Sequence, residues 1–165
     1  MELRQIQIFI VRPTIVHMDM FSPAAENLLL GTIAHESGGG KHIDQRLSSS
    51  DSTLGPAIGL YQIEPWVLND LYETYLSFRP DKLELVNEPL GDWPDKITQL
   101  ATNLTFATAV ARMIYYRHPK KLPAADDIDG LWWYYKKFFN SMKGKAKESD
   151  WKQAYEQLVL PHALK

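Results

Sequence analysis

The sequence predicts a mostly α fold, built as a single helical domain over residues 1 to 165 with at most a short β-hairpin. Three observations carry this. Apolar residues recur at helical spacing through most segments; Pro23 and Pro65 stand where helices begin; glycines crowd into one loop-rich stretch between 38 and 59. A chain of 165 residues suits one domain with one sizeable core.

Residues 2 to 10 fit helix or strand by pattern, and their place ahead of Pro13 favours a first helix. The apolar run Ile6 to Val11 is too short to cross a bilayer and is expected to end at Arg12-Pro13. It has no basic leader or small-residue cleavage site, so no secretion signal and no membrane insertion are expected. Ser22 is a good N-cap, Pro23 occupies the first helical position, and the glycines from 38 end the element. Between them Ala25, Leu28, Leu29, Thr32, Ile33 and Glu36 form the stripe expected to bury a helix over 23–37.

Residues 38 to 63 read as loop with room for a small hairpin, including the serine-rich stretch Ser48 to Ser52. Pro65 opens a helix with Val67, Leu68, Leu71, Tyr72 and Tyr75 on one side, closing before Pro80. Residues 94 to 118 form one long or broken helix. Another starts at Asp126-Asp127 and runs through Trp132-Trp133-Tyr134-Tyr135 to about Asn140; a last one spans roughly 147 to 158.

Composition removes several function classes. The net charge of −2, with acids and bases interleaved, argues against a nucleic-acid partner, which needs a basic face. The clusters Lys120-Lys121 and Lys143 to Lys147 are short and read as solvated surface. Cysteine is absent, which excludes disulfide staples and thiolate chemistry. His17, His35, His42, His118 and His162 lack metal-ligand spacing, so no metal or other cofactor is expected; His35 and His42 straddle the end of the 23–37 helix. Gly38-Gly39-Gly40-Lys41 lacks the pattern of a phosphate-binding loop. The aromatic residues suit a packed core and also a cleft that stacks sugar faces.

Glu36 is the candidate catalytic residue. It shares a helix face with Leu29, Thr32 and Ile33, so the burying stripe carries the carboxyl towards the interior or a cleft wall. It also sits in the last turn, beside unpaired carbonyls and the negative end of the helix dipole. Both surroundings disfavour ionisation and raise the pKa, as a general acid near neutral pH requires. A carboxylate rotated to solvent as a surface group is the alternative on helix position alone.

The pair Glu36-Ser37, followed after a glycine-rich loop by Gly59-Leu60-Tyr61-Gln62-Ile63, resembles the signature of the soluble lytic transglycosylase and goose-type lysozyme group. Three longer segments, 22–40, 55–65 and 134–144, look like small lysozyme-like proteins of tailed bacteriophages, in the same order. The resemblance implies an α+β lysozyme-like fold and cleavage of the β-1,4 bond between N-acetylmuramic acid and N-acetylglucosamine in peptidoglycan glycan strands. It implies Glu36 as the acid and Ser37, Gly59, Tyr61 and Gln62 as substrate-binding. Gln62 offers both a donor and an acceptor to N-acetyl or hydroxyl groups. The group's downstream Tyr-Asn pair is not present as such: Tyr135 is followed by Lys136, and the nearest Asn is Asn140. The tyrosine role falls to Tyr135, with Tyr134 as the other candidate. Gln45 is expected to line the cleft.

In a lytic transglycosylase one carboxyl serves as acid and then base, closing a 1,6-anhydro ring on the muramyl sugar. A hydrolytic muramidase needs a second acid, about 5–5.5 Å away for retention or about 6.5–9.5 Å for inversion. Asp44 is the best candidate; Asp51 reads as solvated, and Glu64 as a cap for the helix opened by Pro65. The single-acid route is preferred. The resemblance further implies phage origin, synthesis in the host cytoplasm and action at the cell wall in penetration or lysis, packaged with other virion or tail proteins or released through a holin. The rival readings are a virion structural or adaptor protein that keeps the fold without activity, and a sugar-binding module.

Overall fold

A computed structural model describes residues 1–46, 54–141 and 144–165. The chain is mostly helical, with a small two-stranded antiparallel sheet. Helices α1 (Leu3–Ile6) and α2 (Arg12–His17) are joined without a break by a π turn, Gln7–Val11. The expected stop at Arg12-Pro13 is therefore corrected: the helix runs through Pro13. Proline has no N–H to give to the carbonyl four residues back, and the π turn changes the hydrogen-bond register just ahead of it. The hydroxyl of Thr14 donates to the Ile10 carbonyl at 2.6 Å.

Helix α3 (Pro23–Glu36) is the axis of the molecule. The Ser22 hydroxyl accepts from Ala25 N at 3.1 Å, and Pro23 stands at the first turn, as the sequence predicts. Burial is wider than the expected stripe, since Ala24 to Ala34 are buried on every side. Gly31 explains how a neighbour comes so close. A Cβ there would lie 2.6 Å from Trp151 Cζ2, so only glycine lets α9 (Glu148–Leu158) lay its indole on the α3 backbone. Glu26, fully buried in the first turn of α3, accepts from Arg12 Nε at 2.7 Å, Arg12 Nη2 at 2.8 Å and Gln7 Nε2 at 2.6 Å. One carboxylate thus pins the π turn and α2 to α3.

Strands β1 (Asp44–Arg46) and β2 (Leu54–Ile58) make the expected hairpin, with Asp44 opposite Ile58 and a register irregularity before Arg46 pairs Leu54. Asp51 and the serine-rich stretch lie outside the described residues, as does Lys143. After β2 the chain doubles back through Gly59 to Gln62, and Ile58 bridges to Ile63. Gly59 has φ +80°, and a Cβ on it would lie 2.0 Å from Leu100 O.

Helix α4 (Pro65–Thr74) buries Leu68 and Leu71. Pro80 does not merely end that region. It opens α5 (Pro80–Asn87), a helix beyond those expected from the sequence; the same residue that blocks a helix interior fits a first turn. The segment after Pro94 is a broken helix, α6 (Lys96–Thr102) and α7 (Leu104–Tyr116). The break falls at Asn103, whose side chain accepts from Phe106 N at 3.0 Å and caps α7. Helix α8 (Ile128–Tyr135) passes into a second π turn, Lys136–Asn140. Leu3 to Val159 contribute to one buried cluster around α3 and α7. No helix of the described residues is long and apolar enough to cross a membrane.

Candidate active site

The last turn of α3 ends at a cleft of about 610 Å³, a usual size for a small-ligand site. Glu36 lines it, half-buried, because Leu29, Thr32 and Ile33 on its own face are locked in the core. The Tyr135 hydroxyl donates to Glu36 Oε1 at 2.5 Å. Burial pushes the carboxyl up from an ordinary 4.5 to about 7, while the bond from Tyr135 opposes the rise and is outweighed. Glu36 can therefore still carry its proton near neutral pH. It can give that proton to a bound oxygen and take one back.

Tyr135 is fixed before any ligand arrives. Its ring stacks between Trp151, at 5.9 Å, and Phe139, at 6.1 Å, and His35 meets it edge-on at 5.6 Å. Burial, and next the charge of Glu36, hold the phenol far above its usual range, so it stays a donor. Burial also lowers His35, which leaves a neutral imidazole beside the pair. Asn140 lies one π turn beyond Tyr135 and lines the same cleft. Lys136 Nζ holds it by donating to Asn140 Oδ1 at 2.9 Å, and also to Gly144 O and Ala146 O. Asn140 stands on the cleft wall, whereas Tyr135 is fully buried behind it and reaches the cleft through Glu36.

Gln45 and Gln62 both line the cleft, though each spends one amide atom locally. Gln62 Nε2 donates to Gly59 O at 2.8 Å, and Gln45 Oε1 accepts from Ala57 N at 3.3 Å. Five expected contacts need correction, the first being Tyr135, which is fully buried, does not line the cleft and holds Glu36 rather than a ligand. Tyr61 is fully buried and donates to Thr108 Oγ1 at 3.1 Å, so it is core and touches no ligand. Ser37 is equally buried, its hydroxyl donating to Ile33 O and accepting from Gly40 N, both at 3.1 Å; it closes the end of α3. Gly59 makes its close approach to Leu100 rather than to a sugar. Tyr134 is buried and donates to Lys120 O at 2.7 Å. Gln62 escapes the core because it takes φ +49°, which turns it out between buried Tyr61 and Ile63.

Asp44 and Glu64 line the cleft with Glu36. Glu64 occupies the N-cap position of α4 but makes no side-chain cap; its carboxylate accepts from Trp66 Nε1 at 2.5 Å. That bond steadies an indole 64% exposed on the cleft wall. His42 also borders the cleft. Trp66, Arg117, His118 and Lys137 complete it and carry no local sequence signal, since α4, α7 and the second π turn meet there only in the folded chain. Among the described residues no group of three His, Asp or Glu is placed to hold a metal ion.

Comparison with protein-family models, curated proteins and solved structures finds no match to this chain.

Proposed function

We propose that the protein is a peptidoglycan lytic transglycosylase with a lysozyme-like fold, acting at the bacterial cell wall with Glu36 as its single acid and base. The observation that carries the reading is a half-buried carboxyl, raised to about 7 and held by Tyr135, at a cleft large enough for sugar rings. The likeness of the Glu36 and Gln62 segments to small bacteriophage proteins supports it and favours a role in wall penetration or lysis.

Protonated Glu36 gives its proton to the oxygen linking muramyl C1 to the next sugar, and that bond breaks. The carboxylate left behind takes the proton of the muramyl 6-hydroxyl as its oxygen closes on C1. The ring is a 1,6-anhydro sugar, Glu36 is protonated again, and no water is consumed. Tyr135 remains a donor throughout and steadies the carboxylate form. A second reading rests on Asp44, which lines the same cleft and suits a hydrolytic muramidase in which it activates water.

Mass spectrometry of soluble products from purified sacculi tests both. Anhydromuramyl products from the wild type and none from Glu36→Gln are expected. Reducing muramyl ends would move the assignment to hydrolysis with Asp44. No product from several wall chemotypes would overturn the enzyme and leave a structural protein of the virion.

A further inference from the structure

Beyond the acid, the cleft has a cationic end. Arg117 and His118 follow the last turn of α7, and Lys137 projects from the second π turn; all three line the cleft. They stand close together. His118 stacks on Phe138 at 4.2 Å, Lys137 Nζ lies 5.6 Å from the same ring, and burial, then the charges of Arg117 and Lys137, lower the His118 pKa, so a neutral imidazole stands between two cations. Lys137 Nζ also lies over the Trp133 ring, 4.8 Å from its centre, as does Lys120 Nζ at 4.3 Å, outside the cleft lining.

Structural duties account for part of this cluster. Arg117 Nη1 donates to Asp70 Oδ2 at 2.6 Å, and a cation suits a helix C-terminus. They do not account for the rest. Among the described residues, Arg117 Nε and His118 Nε2 are buried without a hydrogen-bond partner, and Lys137 makes no ion pair. Asp70 answers one of the charges. A neutral sugar polymer would gain nothing from such a wall, whereas an acidic ligand would.

We propose that Arg117, His118 and Lys137 form a carboxylate-binding subsite, which takes the acidic substituent that muramyl residues bear and neutral chitin-type strands lack. The inference rests on the glycan-cleaving reading above and names its substrate class: strands carrying a free 3-O-lactyl carboxylate or the carboxylates of a stem peptide. The Arg117 guanidinium, held through Nη1 by Asp70 with Nε buried, keeps Nη2 for a carboxylate, and Lys137 adds a mobile ammonium.

The test titrates Glu36→Gln protein, which cannot turn over, with three tetrasaccharides: chitotetraose, a peptide-free GlcNAc–MurNAc tetramer, and the same tetramer bearing stem peptides. At least one muramyl ligand should bind about fivefold or more tighter than chitotetraose, the scale of one exposed charge contact. Adding Lys137→Glu should abolish the preference, and Lys137→Arg should restore it. Lys137 is exposed, so neither change threatens the fold. If the peptide-free tetramer is preferred, the lactyl group is the ligand; if only the peptide-bearing one is, the stem is. Equal binding of all three would overturn the subsite while leaving glycan cleavage standing. So would a preference that Lys137→Glu does not change. Failure of the cleavage reading itself is seen separately, as absence of products from sacculi.

Discussion

The Tyr135 hydroxyl donates to Glu36 Oε1 at 2.5 Å, joining residues 99 apart in sequence. One lies at the end of α3 and the other at the end of α8. Each is set by packing rather than by the bond: Glu36 by the buried face of its helix, Tyr135 by the stack of Trp151 and Phe139. The bond therefore reports a preformed acid and not a flexible surface contact.

Tyr135→Phe removes the bond and keeps the ring. The phenol favours the ionised carboxylate, so without it the Glu36 carboxyl rises above about 7. The falling limb of the pH–rate profile on sacculi should move to higher pH, since a general acid fails as it loses its proton. The rate at the optimum should drop on the order of tenfold as the carboxyl loses its fixed orientation. An unchanged profile would show that Tyr135 does not touch the working form of the acid.

Glu36→Gln should stabilise the protein, and only at higher pH. The native carboxyl binds its proton more tightly than the unfolded one, at about 7 against 4.5. Its contribution is whole below 4.5 and is lost as pH rises through about 7. Glutamine keeps the shape without charging. At pH 8 the variant should gain roughly 2 kcal/mol, or about 4–8 °C in Tm, after allowing for partial exposure. At pH 4 the two should melt together. Equal melting at both pH values would place Glu36 in the ordinary carboxylate range.

Trp66→Ala should weaken glycan binding with little change in stability. The indole is 64% exposed and tethered by Glu64, so its ring is presented to the cleft and not to the core. Loss of one stacking face corresponds to roughly tenfold in affinity, and Trp66→Phe should recover most of it. Titration of chitotetraose into Glu36→Gln protein measures both. A large fall in Tm would instead assign Trp66 to packing.

Helix starts were legible because each rests on local chemistry: Ser22 as cap, Pro23 and Pro65 in first turns. Glu36 was legible for the same reason, since its face and its place in the last turn are both properties of one helix. The hairpin also announced itself through glycines. What the sequence hid depends on contacts between elements. Tyr61 and Gln62 are adjacent, yet one fills the core and the other borders the cleft, because a left-handed residue reverses the turn. The cations at 117 and 137, with the imidazole of His118, belong to two elements whose meeting no periodicity encodes. Pro13 misled for a related reason: a π turn is a property of hydrogen-bond register, and side-chain pattern does not display it.

Arg12→Ala should be the most damaging surface-accessible substitution in the first helices. Arg12 is 39% exposed at its side chain, but its partner Glu26 is fully buried. Removing the guanidinium leaves a carboxylate inside the protein with Gln7 as its remaining side-chain donor. Breaking one side of such a pair costs about 3 kcal/mol or more, because the stranded charge keeps its desolvation penalty. In a chain of this size that is roughly 6–12 °C in Tm. Replacing both residues, as Arg12→Met with Glu26→Leu, removes the charge and its partner together and should recover most of the loss. Thermal melts of wild type, single and double variants close the cycle. If Arg12→Ala melts within about 2 °C of wild type, Glu26 is reached by water and the pin between α2 and α3 carries little of the stability.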